Sequence, residues 1–183
     1  MGVTQPNRTG KSSATDVIYT NPITAQWVVD YYKPTGLCLE PCAGMNAFYN
    51  ALPEPKVRLE IADGLDFFDY KTKVDWIITN PPYSIFDEFL THAFEIADNV
   101  VFFCPLQKVF KSQKIDKEIQ KFGGIKEIVM MGTGGQHGFP VGFPVGCIHY
   151  QRGYDSEVVK ITRQYDVLKK PDDIDDTLFE FGK

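Results

Sequence analysis

The stretch Asp75-Trp-Ile-Ile-Thr-Asn80-Pro81-Pro82-Tyr83 holds the groups best suited to chemistry. A hydrophobic strand runs directly into two prolines, which cannot donate to a sheet ladder and which fix the backbone. Asn80 then projects a carboxamide, the Pro81 carbonyl is left free to accept, and Tyr83 offers an aromatic face after the stiff Pro82. This set suits an exocyclic amine on a planar ring. The Asn80 oxygen and the Pro81 carbonyl each accept one N–H, which draws the nitrogen toward tetrahedral geometry and localises its lone pair. Tyr83 stacks on the ring. Such a site works by positioning and preorganised acceptors and needs no ionised base.

A second turn of small residues, Glu40-Pro41-Cys42-Ala43-Gly44-Met45-Asn46-Ala47-Phe48, follows a short apolar strand at Leu37 to Glu40. Asn46 lies in this turn, and asparagine tolerates positive φ better than most residues. Glu60 lies in a second strand, Val57 to Ile61, and the next loop carries Asp63, Asp66 and Asp69 three residues apart.

The elements that must position these turns read as strands alternating with helices. Pro22 marks a helix start, with Ile23, Trp27 and Tyr31 as a stripe at spacing four, and Pro34-Thr-Gly36 ends it. Val74 to Thr79 is a third strand. Ser84 with Asp87 forms a capping box ahead of a helix whose apolar face is Phe86, Phe89, Leu90, Ala93, Phe94 and Ala97. Asn99 to Cys104 is a strand, Leu106 to Phe122 a lysine-studded helix, and Ile125 to Met131 another strand. A glycine-rich loop, Gly132 to Val145, leads to a strand at Val145 to Gln151, and Glu157 to Arg163 adds an edge strand. Alternation of this kind predicts an α/β sheet covered on both faces, with ligands at the carboxyl ends of its strands. Both special turns fall at such ends.

The chain has 183 residues, the size of one domain, and 43% are apolar. A core can be buried at this length without staples. The formal charge of −5 argues against a simple electrostatic coat on nucleic acid, although it leaves room for a local basic surface. Cys38, Cys42, Cys104 and Cys147 contain no C-x-x-C pair, and His92, His137 and His149 have no metal-ligand spacing. Reduced thiols and no metal are expected. Met1 to Thr15 is polar with no apolar core, and no apolar run could span a bilayer. A cytoplasmic protein with no membrane partner is expected.

Asn80 to Tyr83 matches the (D/N/S)PP(Y/F/W) marker, and the sequence resembles the S-adenosylmethionine-dependent amino-methyltransferases of the N6-adenine type from about Asp16 to Gly153. It looks like the small phage- or bacterium-borne forms without a separate target-recognition domain. The resemblance implies a Rossmann-like class I methyltransferase fold. That is a mostly parallel seven-stranded sheet with an antiparallel last strand and helices on both faces. One catalytic domain, 19–165, would lie between an N-terminal arm, 1–18, and an acidic tail, 166–183.

The resemblance also implies residue roles. The family's D-P-x-x-G-x-G-x-F loop reads Glu40, Pro41, Cys42, Ala43, Gly44, Met45, Asn46, Ala47 and Phe48 here, with Glu for Asp and Asn46 for the second Gly. Glu40 would face the cofactor ammonium. Glu60 would take the ribose hydroxyls and Asp66 with Phe67 the cofactor adenine, although the helix that usually separates these features has no room here. Thr20 and Asn21, before Pro22, match the segment near the cofactor's methionine carboxylate. Asn80 touches cofactor and base. The implied reaction is methylation of adenine in DNA in a bacterial host cell. Adenine in RNA, or a decayed fold that only binds, are the alternatives.

Signals of a nucleic-acid partner lie further along. Lys108, Lys111, Lys114, Lys117 and Lys121 recur at three to four residues, a stripe able to lie along phosphates. His137, Phe139 and Phe143 in the glycine-rich loop could wedge or stack on a base, which must be flipped or single-stranded to reach such a pocket. Sequence recognition is expected to come from loops, from a homodimer or from a partner subunit, or else to be broad.

Overall fold

The computed structural model describes residues 18–109, 113–139, 142–155 and 157–168. Most of the expected arm, most of the acidic tail and Lys111 lie outside the described residues. Seven strands form one sheet: β1 (Cys38–Glu40), β2 (Lys56–Arg58), β3 (Val74–Thr79), β4 (Ala97–Pro105), β5 (Gly123–Thr133), β6 (Pro144–Arg152) and β7 (Lys160–Arg163). Their order is β2-β1-β3-β4-β6-β5-β7. β1 runs parallel to β2 and β3, and β3 runs parallel to β4. The reversed strand is β6, antiparallel to both β4 and β5, while β7 joins the edge parallel to β5. This is a Rossmann-like class I methyltransferase sheet, as expected, except that the reversed strand is the sixth and not the last, since β7 runs parallel to β5.

Consecutive strand residues point to opposite faces, so the strands feed two cores. Leu39, Ile77, Phe102 and Ile148 face α3 (Phe86–Ile96) and α4 (Gln113–Phe122). Cys38, Ile78, Val101 and Phe103 face α1 (Pro22–Tyr32) and α2 (Ala47–Ala51). Burial on both sides explains why β3 and β4 read as near-continuous apolar runs.

The helices depart from expectation in instructive ways. On α1 the buried residues are Thr24, Ala25, Val28 and Val29, whereas Ile23 is 62% exposed. Small side chains let this helix sit close on the sheet. Trp27 and Tyr31 lie on its flank, stacked with ring centroids 4.9 Å apart, and the Tyr31 hydroxyl donates to Glu127 at 2.7 Å. Of the single helix expected over Leu106 to Phe122, Leu106–Lys108 is a 3-10 turn and Gln113–Phe122 is α4, with positions 110–112 outside the described residues. Another 3-10 turn, Tyr83–Ile85, precedes α3, whose N-cap is Ile85 rather than Ser84. Two prolines before Tyr83 leave the chain to tighten before it can become helical. Between β2 and β3 the chain makes two 3-10 turns, Ile61–Asp63 and Phe67–Asp69, in place of a crossover helix. No helix among the described residues is long and apolar enough to cross a membrane.

The corrected face of α1 is testable. Val28→Ala opens a void under the helix and should lower the unfolding free energy by about 1–3 kcal/mol, whereas Ile23→Ala should change it by less than about 0.5 kcal/mol. Urea unfolding midpoints check this. Equal losses would return the buried face to Ile23 and Trp27.

Candidate functional site

The two chemical turns meet at the carboxyl ends of β1 and β3. Glu40 ends β1 and is 1% exposed. Its Oε1 accepts from the Thr79 hydroxyl at 2.6 Å and from the Cys42 N–H at 3.2 Å. Its Oε2 is buried with no hydrogen-bond partner. Burial pushes the Glu40 carboxyl up to about 8, and the nearby Glu60 charge adds to the rise, while the bonds from Thr79 and Cys42 oppose it. Cys42 ties the turns together, with Sγ 3.0 Å from the Thr79 hydroxyl and donating to the Asn80 carbonyl at 3.3 Å. Burial holds that thiol well above its ordinary range. Neither Thr79 nor Cys42 was singled out for a role from the sequence. The signal was present, since Thr79 immediately precedes Asn80 and Cys42 lies inside the Glu40 turn.

The Glu40 turn is held open by its own backbone. Gly44 and Asn46 both take positive φ, +49° and +66°, so Asn46 fills the glycine position as expected. Its side-chain oxygen accepts from Arg58 Nε at 2.6 Å. Glu60, 5% exposed just beyond β2, accepts from the Gly44 N–H at 2.6 Å and from the Ala62 N–H at 3.2 Å. The second acidic residue therefore already grips the loop of the first.

A small cleft opens here, lined by Ile18, Tyr19 and Thr20 of the segment before α1, by the Glu40 turn from Glu40 to Phe48, and by Asn80. Thr20, Glu40, Ala43, Gly44, Phe48 and Asn80 are thus brought together. Pro41 is buried inside the same turn. Asn21 is the N-cap of α1, its side chain accepting from Ile23 N–H at 2.9 Å. Asp66 and Phe67 are not brought to the cleft. Asp66 caps its own turn through Phe68 N–H at 2.9 Å. Phe67 is 3% exposed and packs on Phe89 and His92 in the core under α3.

At the end of β3, Asn80 Nδ2 donates to the Ile18 carbonyl at 3.0 Å and to Thr20 Oγ1 at 3.2 Å. Its Oδ1 accepts from the Tyr83 hydroxyl at 2.5 Å. Pro81 is buried and Pro82 half-buried. The Tyr83 ring lies nearly parallel to Phe139, 19° apart with centroids 6.1 Å apart. Lys108 Nζ donates to the Tyr83 carbonyl at 3.1 Å and lies 5.7 Å from the ring centroid. Lys108 therefore braces this turn instead of continuing a helical stripe. Lys114, Lys117 and Lys121 remain exposed on α4.

The glycine-rich loop is more buried than the sequence suggested. His137 is 2% exposed, with Nε2 2.8 Å from the Met131 carbonyl and Nδ1 3.1 Å from the Thr24 hydroxyl. Burial lowers its pKa. It ties the loop to α1 and has no ring face left for a base. Phe139 is 4% exposed and supports Tyr83 from within, with Phe143 edge-on behind it.

No protein-family model matches this chain, and no curated protein sequence matches it. Solved structures do. A protein assigned to the class I S-adenosylmethionine-dependent methyltransferases from Listeria monocytogenes superposes with a TM-score of 0.64 at 11% identity, covering 90% of this chain and 70% of that one. A modification subunit assigned to the type I restriction enzymes from Vibrio vulnificus gives 0.61 at 12% identity, over 82% of this chain and 48% of the other. The type I methyltransferase subunit from Streptococcus thermophilus gives 0.55 at 14%, over 78% and 45%. The chain spans about half the length of these restriction-system subunits. At such identities the likeness establishes the fold, and that fold is the class I methyltransferase fold.

Proposed function

We propose that this chain transfers a methyl group from S-adenosylmethionine to the exocyclic N6 amine of adenine in DNA, with the base flipped out of the helix. One juxtaposition carries the reading. The Asn80 carboxamide oxygen, an acceptor beside an aromatic ring, opens at the same sheet edge as a buried carboxylate oxygen of Glu40 that has no partner. An unpaired buried carboxylate is costly and is offset by a cation. The residues therefore fit a ligand with an ammonium group. When bound, S-adenosylmethionine supplies an electrophilic methyl on a cationic sulfur. Glu40 would hold its ammonium, and the Gly44–Asn46 turn would let its body approach the backbone.

At the base, Asn80 Oδ1 and the Pro81 carbonyl accept the two amine hydrogens, and the Tyr83 ring stacks on the heterocycle. Asn80, Pro81 and Tyr83 would hold the amine so that its nitrogen could take the methyl as the carbon–sulfur bond of a bound cofactor broke. The surplus proton leaves along one of the two hydrogen bonds to water. An adenine amine inside a duplex cannot reach this strand end, which is why flipping is required. The likeness to modification subunits of restriction systems favours DNA, in the bacterial cytoplasm, with a partner subunit supplying sequence recognition.

Tyr83→Ala should lower methyl transfer at least about a hundredfold while cofactor binding stays within a few-fold. Labelled methyl uptake into DNA, RNA and total protein, offered separately, checks substrate and role together. Label in RNA or protein and none in DNA would refute the substrate. Wild-type rates in Tyr83→Ala would refute the site.

The Glu40 carboxyl gives a pH test. Its folded pKa of about 8 lies above the unfolded value near 4.3. Its contribution to stability without ligand is full below about 4.3 and is lost as pH rises toward 8. A cationic ligand binds the ionised form. Cofactor affinity should therefore climb with pH toward 8, by up to about tenfold per unit, and binding at pH 7 should release a proton. Calorimetry in buffers of different ionisation heat reads that proton, and Glu40→Gln should abolish its release.

A further inference from the structure

We propose that Ile18–Thr20 is a positioning strap that decides which end of the Asn80 carboxamide faces the base, with Thr20 as its positioning residue. The inference rests on the methyltransferase reading and deepens it, because it assigns the origin of the site's selectivity for an amine. A carboxamide presents a donor at Nδ2 and an acceptor at Oδ1, and rotation by about 180° exchanges them. Asn80 Nδ2 faces two strap oxygens, the Ile18 carbonyl at 3.0 Å and Thr20 Oγ1 at 3.2 Å. A backbone carbonyl can only accept, so it fixes the nitrogen on the strap side. The oxygen is thereby turned to the Tyr83 side, where the phenol already donates to it. The oxygen thus faces a donor, the Tyr83 hydroxyl, and keeps a second lone pair for an amine hydrogen.

The chemical consequence is discrimination at one ring position. An outward acceptor accommodates an amino group and faces a keto oxygen with a like partner, lone pair against lone pair. A flipped amide would reverse both preferences. The strap is well placed to hold the orientation. Asn21 caps α1 and Pro22 opens it, so Thr20 is tethered to a helix start. A Cβ built at Gly44 would meet the Tyr19 ring at 3.4 Å, so this ring lies over the loop of the cofactor cleft. One three-residue segment therefore touches both the cofactor loop and the base acceptor.

Isotope-labelled protein tests this without relying on turnover. The Asn80 side-chain NH2 signal, assigned by its loss in Asn80→Asp, is followed by NMR in wild type, Thr20→Val and Thr20→Ser. Its exchange with water should be at least about tenfold slower than that of an exposed asparagine. Thr20→Val should speed it and Thr20→Ser should largely preserve it. In parallel, with cofactor saturating, Thr20→Val should lower kcat for methyl transfer about tenfold, and Thr20→Ser should recover most of the loss. Exchange as free as in an exposed amide overturns the strap, and so does a wild-type kcat in Thr20→Val. If the wild type methylates no nucleic acid while the Asn80 signal is protected in a Thr20-dependent way, the proposed function fails and the orientation of the amide stands.

Discussion

The site depends on one buried carboxylate. Glu40 sits at the end of β1 with 1% exposure, and two of the groups that satisfy it, the Thr79 hydroxyl and the Cys42 N–H, come from the two turns that must act together. A charged group in that position is costly unless it is paired. The protein meets the cost in part, with hydrogen bonds to one oxygen, and leaves the other oxygen bare. The partial compensation serves two ends. The bonds lock the end of β3 to the start of the Glu40 turn, and the bare oxygen leaves a strong preference for a cation unspent.

Sheet topology makes that arrangement possible. β1 and β3 are neighbours and run parallel, so their carboxyl ends emerge side by side and both turns face one crevice. β2 flanks β1 on its other side and brings Glu60 to the Gly44 N–H. On the far side, reversed β6 pairs with β4 and β5 and returns the glycine-rich loop to the same edge, where Phe139 supports Tyr83. Each strand supplies one wall, and a helix inserted between β2 and β3 would have lengthened the wall that Glu60 begins. Phe67, in the 3-10 turn that stands there instead, is committed to the core.

Strands and strand ends were legible in the sequence because their signals are local. Val74–Thr79 is found with the expected bounds, and the proline pair marks its end unambiguously. Asn46 was legible as a positive-φ residue because asparagine is among the few side chains that tolerate it. What failed were inferences that needed the identity of a neighbour. Periodicity on α1 gave a helix, but spacing alone could not say that Thr24 and Ala25 lie against the sheet while Ile23 faces water. Lysine spacing gave one α-helix, where Leu106–Lys108 is a 3-10 turn that sets Lys108 onto Tyr83. His137 read as a ring able to wedge or stack on a base, yet its two nitrogens are occupied by partners 6 and 113 residues away in sequence. Phe139, in the same glycine-rich loop, read as a ring for the base, yet it is 4% exposed and supports Tyr83 from within.

These failures share a physical cause that bears on the site. Acceptors, donors and rings are recognisable as types in a sequence, but their orientation is set by contacts that cross the fold. Asn80 is the clearest case. Its residue type and its place after the strand state that a carboxamide stands beside an aromatic ring. Only Ile18 and Thr20, more than sixty positions upstream by the first and sixty by the second, determine that the oxygen faces outward. Glu40 is similar, since its type announces a negative charge but its burial keeps it largely protonated near neutral pH until a cation arrives. In both residues the sequence names the group and the tertiary structure decides which chemical face is offered. A motif that matches a chemistry by composition therefore performs it only when remote segments hold its polar atoms in one of two opposite settings. At Asn80, the segment before α1 supplies that setting.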